Sequence, residues 1–319
     1  MGVRAGLAVV SVAAVLLVGC TAQTSSPPAS PSVSPSEGSP TMSTNPSTAA
    51  ADQYRFGFSD EMPTVTVVST ETVDGVTVTD LTFGAATVES TEAYLVAPAS
   101  GEPGPGIIWF HWYERGNPTS SRTQFLEEAR ALAASGVTSF LVQGAFPWED
   151  DPDSIAHDVP AIEAEVRMLR TGLNFFATRP EVNPEHFAVV GHDFGGMYQS
   201  ILFGADHHLD GLVLMAPTAR WADWFYRYWA ISDSEADYLA AMAPLDPVTW
   251  LPEVDGRPVL LQFASNDQYV PEAVADEITQ AAGPTAEART YTADHHLNEE
   301  ARADRDAWLA ETLGFPAPE

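Results

Sequence analysis

The stretch that most limits what this chain can fold into is Val189-Val190-Gly191-His192-Asp193-Phe194-Gly195-Gly196. Two β-branched residues lead into Gly-x-Asp-x-Gly-Gly, and a helix-compatible run follows. A strand that turns this sharply into a helix strains its tip residue, and small residues must flank the tip where strand and helix nearly touch. The tip here is Asp193. The turn therefore predicts a carboxylate held out beyond the end of a strand.

The flanking sequence shows what that strand belongs to. Thr64–Thr70, Val76–Phe83 and Ala93–Ala97 are β-rich runs separated by turn signals such as Asp74-Gly75, and they read as an antiparallel meander. Strands and helices then alternate. Ile107–His111 is an apolar strand, and a helix is expected from about Ser121, with Gln124 completing a capping box and Gly136 stopping it. Val137–Gln143 is the next strand. Asp158 is expected to cap a helix with Pro160 in its first turn, burying Ile162, Val166, Leu169, Leu173 and Phe176 on one face. Leu212–Ala216 and Pro258–Phe263 are near-continuous apolar runs, as in a parallel sheet covered on both faces. The pattern predicts an α/β fold: a mostly parallel, doubly wound sheet with an antiparallel N-terminal edge. Between Pro217 and Pro258 the aromatics Trp221, Trp224, Phe225, Tyr226, Tyr228 and Trp229 crowd together ahead of a second helical segment, Ser234–Ala243. This insertion is expected to form a small helical cap, with most rings in the core and one or two lining a pocket.

The start of the chain reads differently. Arg4 and the apolar run Leu7–Val18 resemble an export signal too short for a typical membrane span. The run ends Leu17-Val18-Gly19-Cys20, which looks like a bacterial lipobox, so residues 1–20 are expected to be a lipoprotein signal and Cys20 the lipidated residue. Residues 21–51 are Ser, Thr, Pro and Ala with almost no large apolar side chain, and are expected to be a disordered tether. Residues 52–319 then form the folded domain. The location expected is the outer face of the bacterial cell membrane, with the membrane a partner only through the anchor.

Charge narrows the partners. The 44 acidic residues against 14 basic give a net charge of −30, which argues against nucleic acid and anionic headgroups. Every basic residue is Arg. The single cysteine excludes an intramolecular disulfide and a Cys-based zinc cluster. His207 and His208 beside Asp206 and Asp210 have metal-ligand chemistry but fall where a helix ends, and they read as a solvated turn. No metal and no cofactor are expected.

A nucleophile needs a base, an orienting acid and donors for developing negative charge. After Asp193 come Ser265-Asn266-Asp267-Gln268-Tyr269-Val270-Pro271 and then Tyr291-Thr292-Ala293-Asp294-His295-His296-Leu297-Asn298. Asp267 follows an apolar strand, and His295 precedes the last helix. Both positions, like Asp193, lie beyond the carboxyl ends of predicted parallel strands, the edge where such sheets bind ligands.

From about Ala93 to Leu313 the chain resembles α/β-hydrolases of the dienelactone hydrolase type. The matching pieces are the G-x-nucleophile-x-G-G turn, the N-D-x-x-V-P segment and the A-x-H-x-L-N segment, whose spacing selects His295 over His296. The resemblance implies that Asp193, Asp267 and His295 are nucleophile, acid and base. It also implies that the backbone N–H groups of Phe194 and Trp112 stabilise the oxyanion or leaving group. The loop Phe110-His111-Trp112-Tyr113 lacks the family's glycine. His111, Tyr113, Trp148, Tyr226 and Tyr228 are pocket candidates, with Trp112 and Trp148 as halide donors and the two cap tyrosines as proton donors.

Asp193 departs from the Ser or Cys that most hydrolases of this architecture carry. A carboxylate attacking an ester gives an anhydride, but attacking a saturated carbon that bears halide or epoxide oxygen it gives an alkyl-enzyme ester. The string Gly-His-Asp-x-Gly resembles that of haloalkane dehalogenases and epoxide hydrolases. The expected function is hydrolysis of a small, fairly apolar molecule through an aspartyl ester. The alternatives are an inactive ligand-binding lipoprotein, since two carboxylates around one histidine favour the imidazolium, and a dienelactone hydrolase-type carboxylic esterase.

Overall fold

The computed structural model describes residues 56–318. The expected signal, Cys20 and the tether lie outside the described residues.

The meander forms as its turn signals require. Strands β1 (Thr64–Val73), β2 (Val76–Ala85) and β3 (Val88–Pro98) pair antiparallel, with Asp74 and Gly75 in the tight turn at positive φ. Then come β4 (Gly104–Phe110), helix α1 (Leu126–Ala134), β5 (Thr138–Val142), α2 (Ile155–Phe176), β6 (Val182–His192), α3 (Phe194–Ala205) and β7 (Gly211–Met215). After the cap helices α4 (Trp221–Tyr228) and α5 (Glu235–Met242) follow β8 (Val259–Ala264), α6 (Glu272–Ala282), β9 (Glu287–Tyr291) and α7 (Glu299–Leu313). Sheet order is β1-β2-β3-β5-β4-β6-β7-β8-β9, antiparallel up to the β3–β5 pair and parallel from there. β9, which escaped the sequence pattern, is a polar edge strand whose only buried residue is Tyr291.

Alternation along the central strands divides the core in two. In β4, Ile108 and Phe110 join the cluster containing Ile162, Val166 and Leu169 of α2 and Met197 and Ile201 of α3. Ile107 and Trp109 join the opposite cluster, with Leu132 of α1 and Leu309 and Leu313 of α7. Helices cover both faces, so the central strands can be apolar throughout.

Two helix starts differ from expectation. α1 begins at Leu126 rather than near Ser121, because the Gln124 side chain turns away to other partners. α2 begins at Ile155, whose N–H donates to Asp233 Oδ2 (2.7 Å) in the cap. Asp158 is therefore not its cap but a buried first-turn residue that accepts hydrogen bonds from Tyr238 and from the Asp153 N–H.

Candidate active site

The turn after β6 has the geometry its glycines foretold. Asp193 sits at φ 59°, ψ −123°, a conformation costing roughly 1–3 kcal/mol in a non-glycine residue. A Cβ on Gly191 would lie 2.3 Å from the Gly195 carbonyl oxygen, and one on Gly195 would lie 2.3 Å from that of Phe110. Glycine is the side chain that lets β6, α3 and the end of β4 converge. The Asp193 N–H is held by the Met215 carbonyl (2.8 Å).

Three loops meet at that tip. His295, in the loop after β9, shares a proton with Asp267 across 2.7 Å between Nδ1 and Oδ2. The other Asp267 oxygen accepts the N–H groups of Tyr269 (2.7 Å) and Val270 (3.1 Å), which fixes the carboxylate beside the ring. His295 Nε2 lies 3.9 Å from Asp193 Oδ1. All three side chains are buried. The sequence-predicted trio is thus brought together, and His296 instead pairs with Asp294 at the surface.

One of the two backbone donors lies one residue away from expectation. Asp193 Oδ2 accepts the N–H of Tyr113 (2.8 Å), and the Phe194 N–H also favours the charged carboxylate. The Trp112 N–H points elsewhere, donating to Gln124 Oε1 (2.8 Å). The Trp112 carbonyl takes hydrogen bonds from Trp148 Nε1 (2.9 Å), His111 Nδ1 (3.0 Å) and Ser120 Oγ (3.1 Å). Locking this peptide turns the next N–H, that of Tyr113, onto Asp193.

Hydrogen bonding also fixes protonation behind the site. Because Gln124 Oε1 accepts from Trp112, Gln124 Nε2 donates to His192 Nδ1 (2.7 Å). His192 Nε2 must then carry the proton, which goes to the His295 carbonyl (2.9 Å). Burial holds His192 well below the ordinary histidine range, so it is neutral. Neither Gln124 nor His192 was singled out from the sequence. No spacing or composition marks them, since their roles arise only when the three loops converge.

His295 is the charged member. Burial pushes its pKa down, but the hydrogen bond with Asp267 and the nearby Asp193 carboxyl more than offset this and hold it at about 9. Burial raises Asp193, against the opposing effect of His295. At neutral pH His295 is therefore held protonated between Asp193 and Asp267.

A cavity of about 640 Å³ opens over Asp193 and His295. Of the pocket candidates Tyr113 and Tyr228 line it, with Trp112, Phe194, Trp224, Trp229, Tyr269, Arg115 and Asp151. Three pocket candidates fall elsewhere. His111 is buried, its Nε2 accepts the Gly144 N–H (3.0 Å), and burial lowers its pKa to about 3, so it is a neutral strut. Trp148 is tied to the Trp112 carbonyl. Tyr226 points to the far side of α4, donating to the Asp233 carbonyl and packing on Tyr238. Residues two apart on a helix face nearly opposite ways, so Tyr228 and Tyr226 cannot both line one pocket.

Halide donors are also corrected. The indole N–H of Trp112 goes to the Thr119 carbonyl (3.0 Å), that of Trp224 to Tyr269 (3.2 Å) and that of Trp229 to Asp151 (3.0 Å). The turn around His207 and His208 spends its carboxylates locally: Asp206 takes the His208 N–H (2.9 Å) and ring, and Asp210 the Phe187 N–H (2.9 Å). Among the described residues, Asp153, His157 and Asp158 bring three ligand atoms together, with Asp158 already engaged by His157 and Tyr238.

No family model matches this chain, and no curated protein matches it. Solved structures do. An acetyl xylan esterase from Thermoanaerobacterium sp. has a TM-score of 0.64 at 14% identity, covering 84% of this chain and 94% of its own. A glucuronoyl esterase from Solibacter usitatus gives 0.58 at 12% identity, covering 84% and 92%. A Klebsiella pneumoniae protein assigned as a dienelactone hydrolase gives 0.55 at 17% identity, covering 75% and 100%. Together with the sheet order, these likenesses show the α/β-hydrolase fold.

Proposed function

We propose that this protein is a hydrolase in which Asp193 forms a covalent ester with the substrate. One observation carries the reading. Asp193 Oδ2 is pinned by the N–H of Tyr113, and the Phe194 N–H also favours the charged carboxylate, while Oδ1 is left toward His295 and the cavity. In a serine-type esterase those donors would await a substrate carbonyl. Here the Tyr113 N–H already holds one end of the carboxylate, so an ester built on Oδ1 would have its carbonyl in place for hydrolysis.

The charge of His295 fits this sequence of steps. Oδ1 attacks a saturated carbon, the bond from carbon to its leaving oxygen breaks, and the imidazolium gives its Nε2 proton to that oxygen. Forming the ester removes the Asp193 charge. His295 then loses one of the two partners that raise its pKa and becomes a base with Asp267 alone. It takes a proton from water, and the hydroxide adds to the ester carbon, with negative charge on Oδ2 beside the Tyr113 N–H. Collapse releases the alcohol with a proton from His295, and the Asp193 proton returns to His295.

With the cavity indoles committed to protein acceptors, oxygen is favoured over halide as the leaving group, and an epoxide over an alkyl halide. The Tyr228 phenol, on the cavity wall and within the field of Asp193, is a second proton source for that oxygen.

Carboxylic ester hydrolysis is the second reading, favoured by the esterases among the fold neighbours. It requires the Tyr113 N–H to leave Oδ2 for a substrate carbonyl and His295 to work as a base while Asp193 keeps its charge.

Single turnover in heavy-oxygen water with styrene oxide, 1-bromobutane and 4-nitrophenyl acetate, followed by peptide mass spectrometry, separates the readings. Label in Asp193 supports the aspartyl ester. Label only in acetate overturns it in favour of the esterase, and binding without turnover of any of the three favours a ligand-binding protein. We also propose that Cys20 anchors the protein to the outer face of the membrane. A mature N-terminus without acyl mass would overturn that.

A further inference from the structure

The wall of the Asp193 cavity combines aromatic rings with carboxylates and contains no aliphatic side chain among the described residues. Trp112, Trp224 and Trp229 have given their N–H groups to the protein, so toward a ligand they offer ring surface and no indole donor. Trp229 donates to the carboxylate of Asp151, which pushes electron density into its ring. Tyr228 and Tyr269, 5.9 Å apart between centroids, add two more rings at the mouth.

The charges point the same way. Glu114, Asp151 and Asp294 line the cavity beside Asp193, whereas the cations there are already paired, Arg115 with Asp151 and His295 with Asp267. Glu114 accepts from Asn117 and Asp294 from His296. The whole chain carries −30, a field that draws cations in and keeps anions out. Ring faces carry negative potential and attract a cation poor in hydrogen-bond donors, while a neutral alkyl group gains from them only burial.

We infer that the cavity takes substrates bearing a quaternary ammonium group. The ammonium sits among the mouth rings and acidic groups, with the reacting carbon directed to Asp193. The inference rests on the reading of this cavity as the substrate site.

Calorimetric titration of the full chain with choline and with its neutral isostere 3,3-dimethylbutan-1-ol tests it without turnover. Choline is expected to bind about tenfold tighter, a ratio within the range of a desolvated cation–aromatic contact, and to weaken as salt is added. Trp229→Leu should cut choline affinity severalfold and leave the isostere unchanged. Asp294→Asn, at an exposed position, should lower choline affinity alone if Trp229→Leu fails to fold. Equal affinity for choline and the isostere would overturn the proposal. So would no binding of choline at millimolar concentration, or displacement by methyl β-xyloside, which would make the rings a sugar-stacking platform. None of these outcomes depends on whether styrene oxide or 4-nitrophenyl acetate leaves label in Asp193.

Discussion

The floor and the mouth of the Asp193 cavity are held by different means. At the floor, the N–H and C=O of Trp112, both nitrogens of His192 and the His295 carbonyl are all bonded within the protein. One amide, Gln124, ties together the loop after β4 and the turn after β6, and His192 extends the tie to the histidine loop. At the mouth, Tyr228 is 44% exposed and Tyr269 36%, and Arg115 meets Asp151 in solvent. The floor fixes reacting atoms in a site where small displacements are costly. The mouth offers side chains that can change without disturbing them.

The largest effect expected is at the floor. Asp193→Asn should abolish turnover, on the order of 10⁴-fold or more in kcat, as removing a nucleophile does. It should also lower the His295 titration midpoint below about 9, read by proton NMR. His295→Gln should let an ester form on Asp193 and persist, seen as an adduct of substrate mass.

Gln124→Ala leaves the Trp112 N–H and His192 Nδ1 without their partner. A loss of about 100-fold in kcat with a smaller change in KM is expected for such a misplacement. An unchanged kcat would show that the floor is held without the clamp.

His295 also links the floor to stability. Its folded pKa of about 9 lies above the ordinary 6.5, so its contribution is present below about pH 6.5 and is lost as pH rises through about 9. That contribution is roughly 3 kcal/mol. Thermal melts of the wild type should fall between pH 7 and 10 by more than those of His295→Gln.

At the mouth, Tyr228→Phe should cost only a few fold in kcat, since His295 supplies a proton to the same oxygen. A loss as large as that of Gln124→Ala would erase the distinction between the two regions.

The sequence made the floor's chemistry legible and much of its wiring invisible. Asp193 and Asp267 could be placed because each follows an apolar strand, and His295 because it comes next in chain order, just before the last helix. The A-x-H-x-L-N spacing chose the histidine that faces Asp267. The donor after β4 was misplaced by one residue because the Gln124 amide, fourteen positions beyond Phe110, sets the path of that loop. At the cap the clue was present. Trp224 and Tyr228 are four apart and share the cavity face of α4, while Tyr226 lies on the other side. Pure residue-type reasoning cannot separate two tyrosines that helical periodicity can.

The unequal treatment of the two Asp193 oxygens has an isotopic consequence. The oxygen that attacks is the one that leaves with the alcohol, and water restores it, while Oδ2 stays on the Tyr113 N–H. In heavy-oxygen water the first product molecule would therefore leave unlabelled, carrying an atom of the enzyme, and every later one would leave labelled. Asp193 would stop at a single heavy atom however long it turned over, unless its carboxylate flips. The product would run one turnover behind the solvent, and a second heavy atom would count the flips.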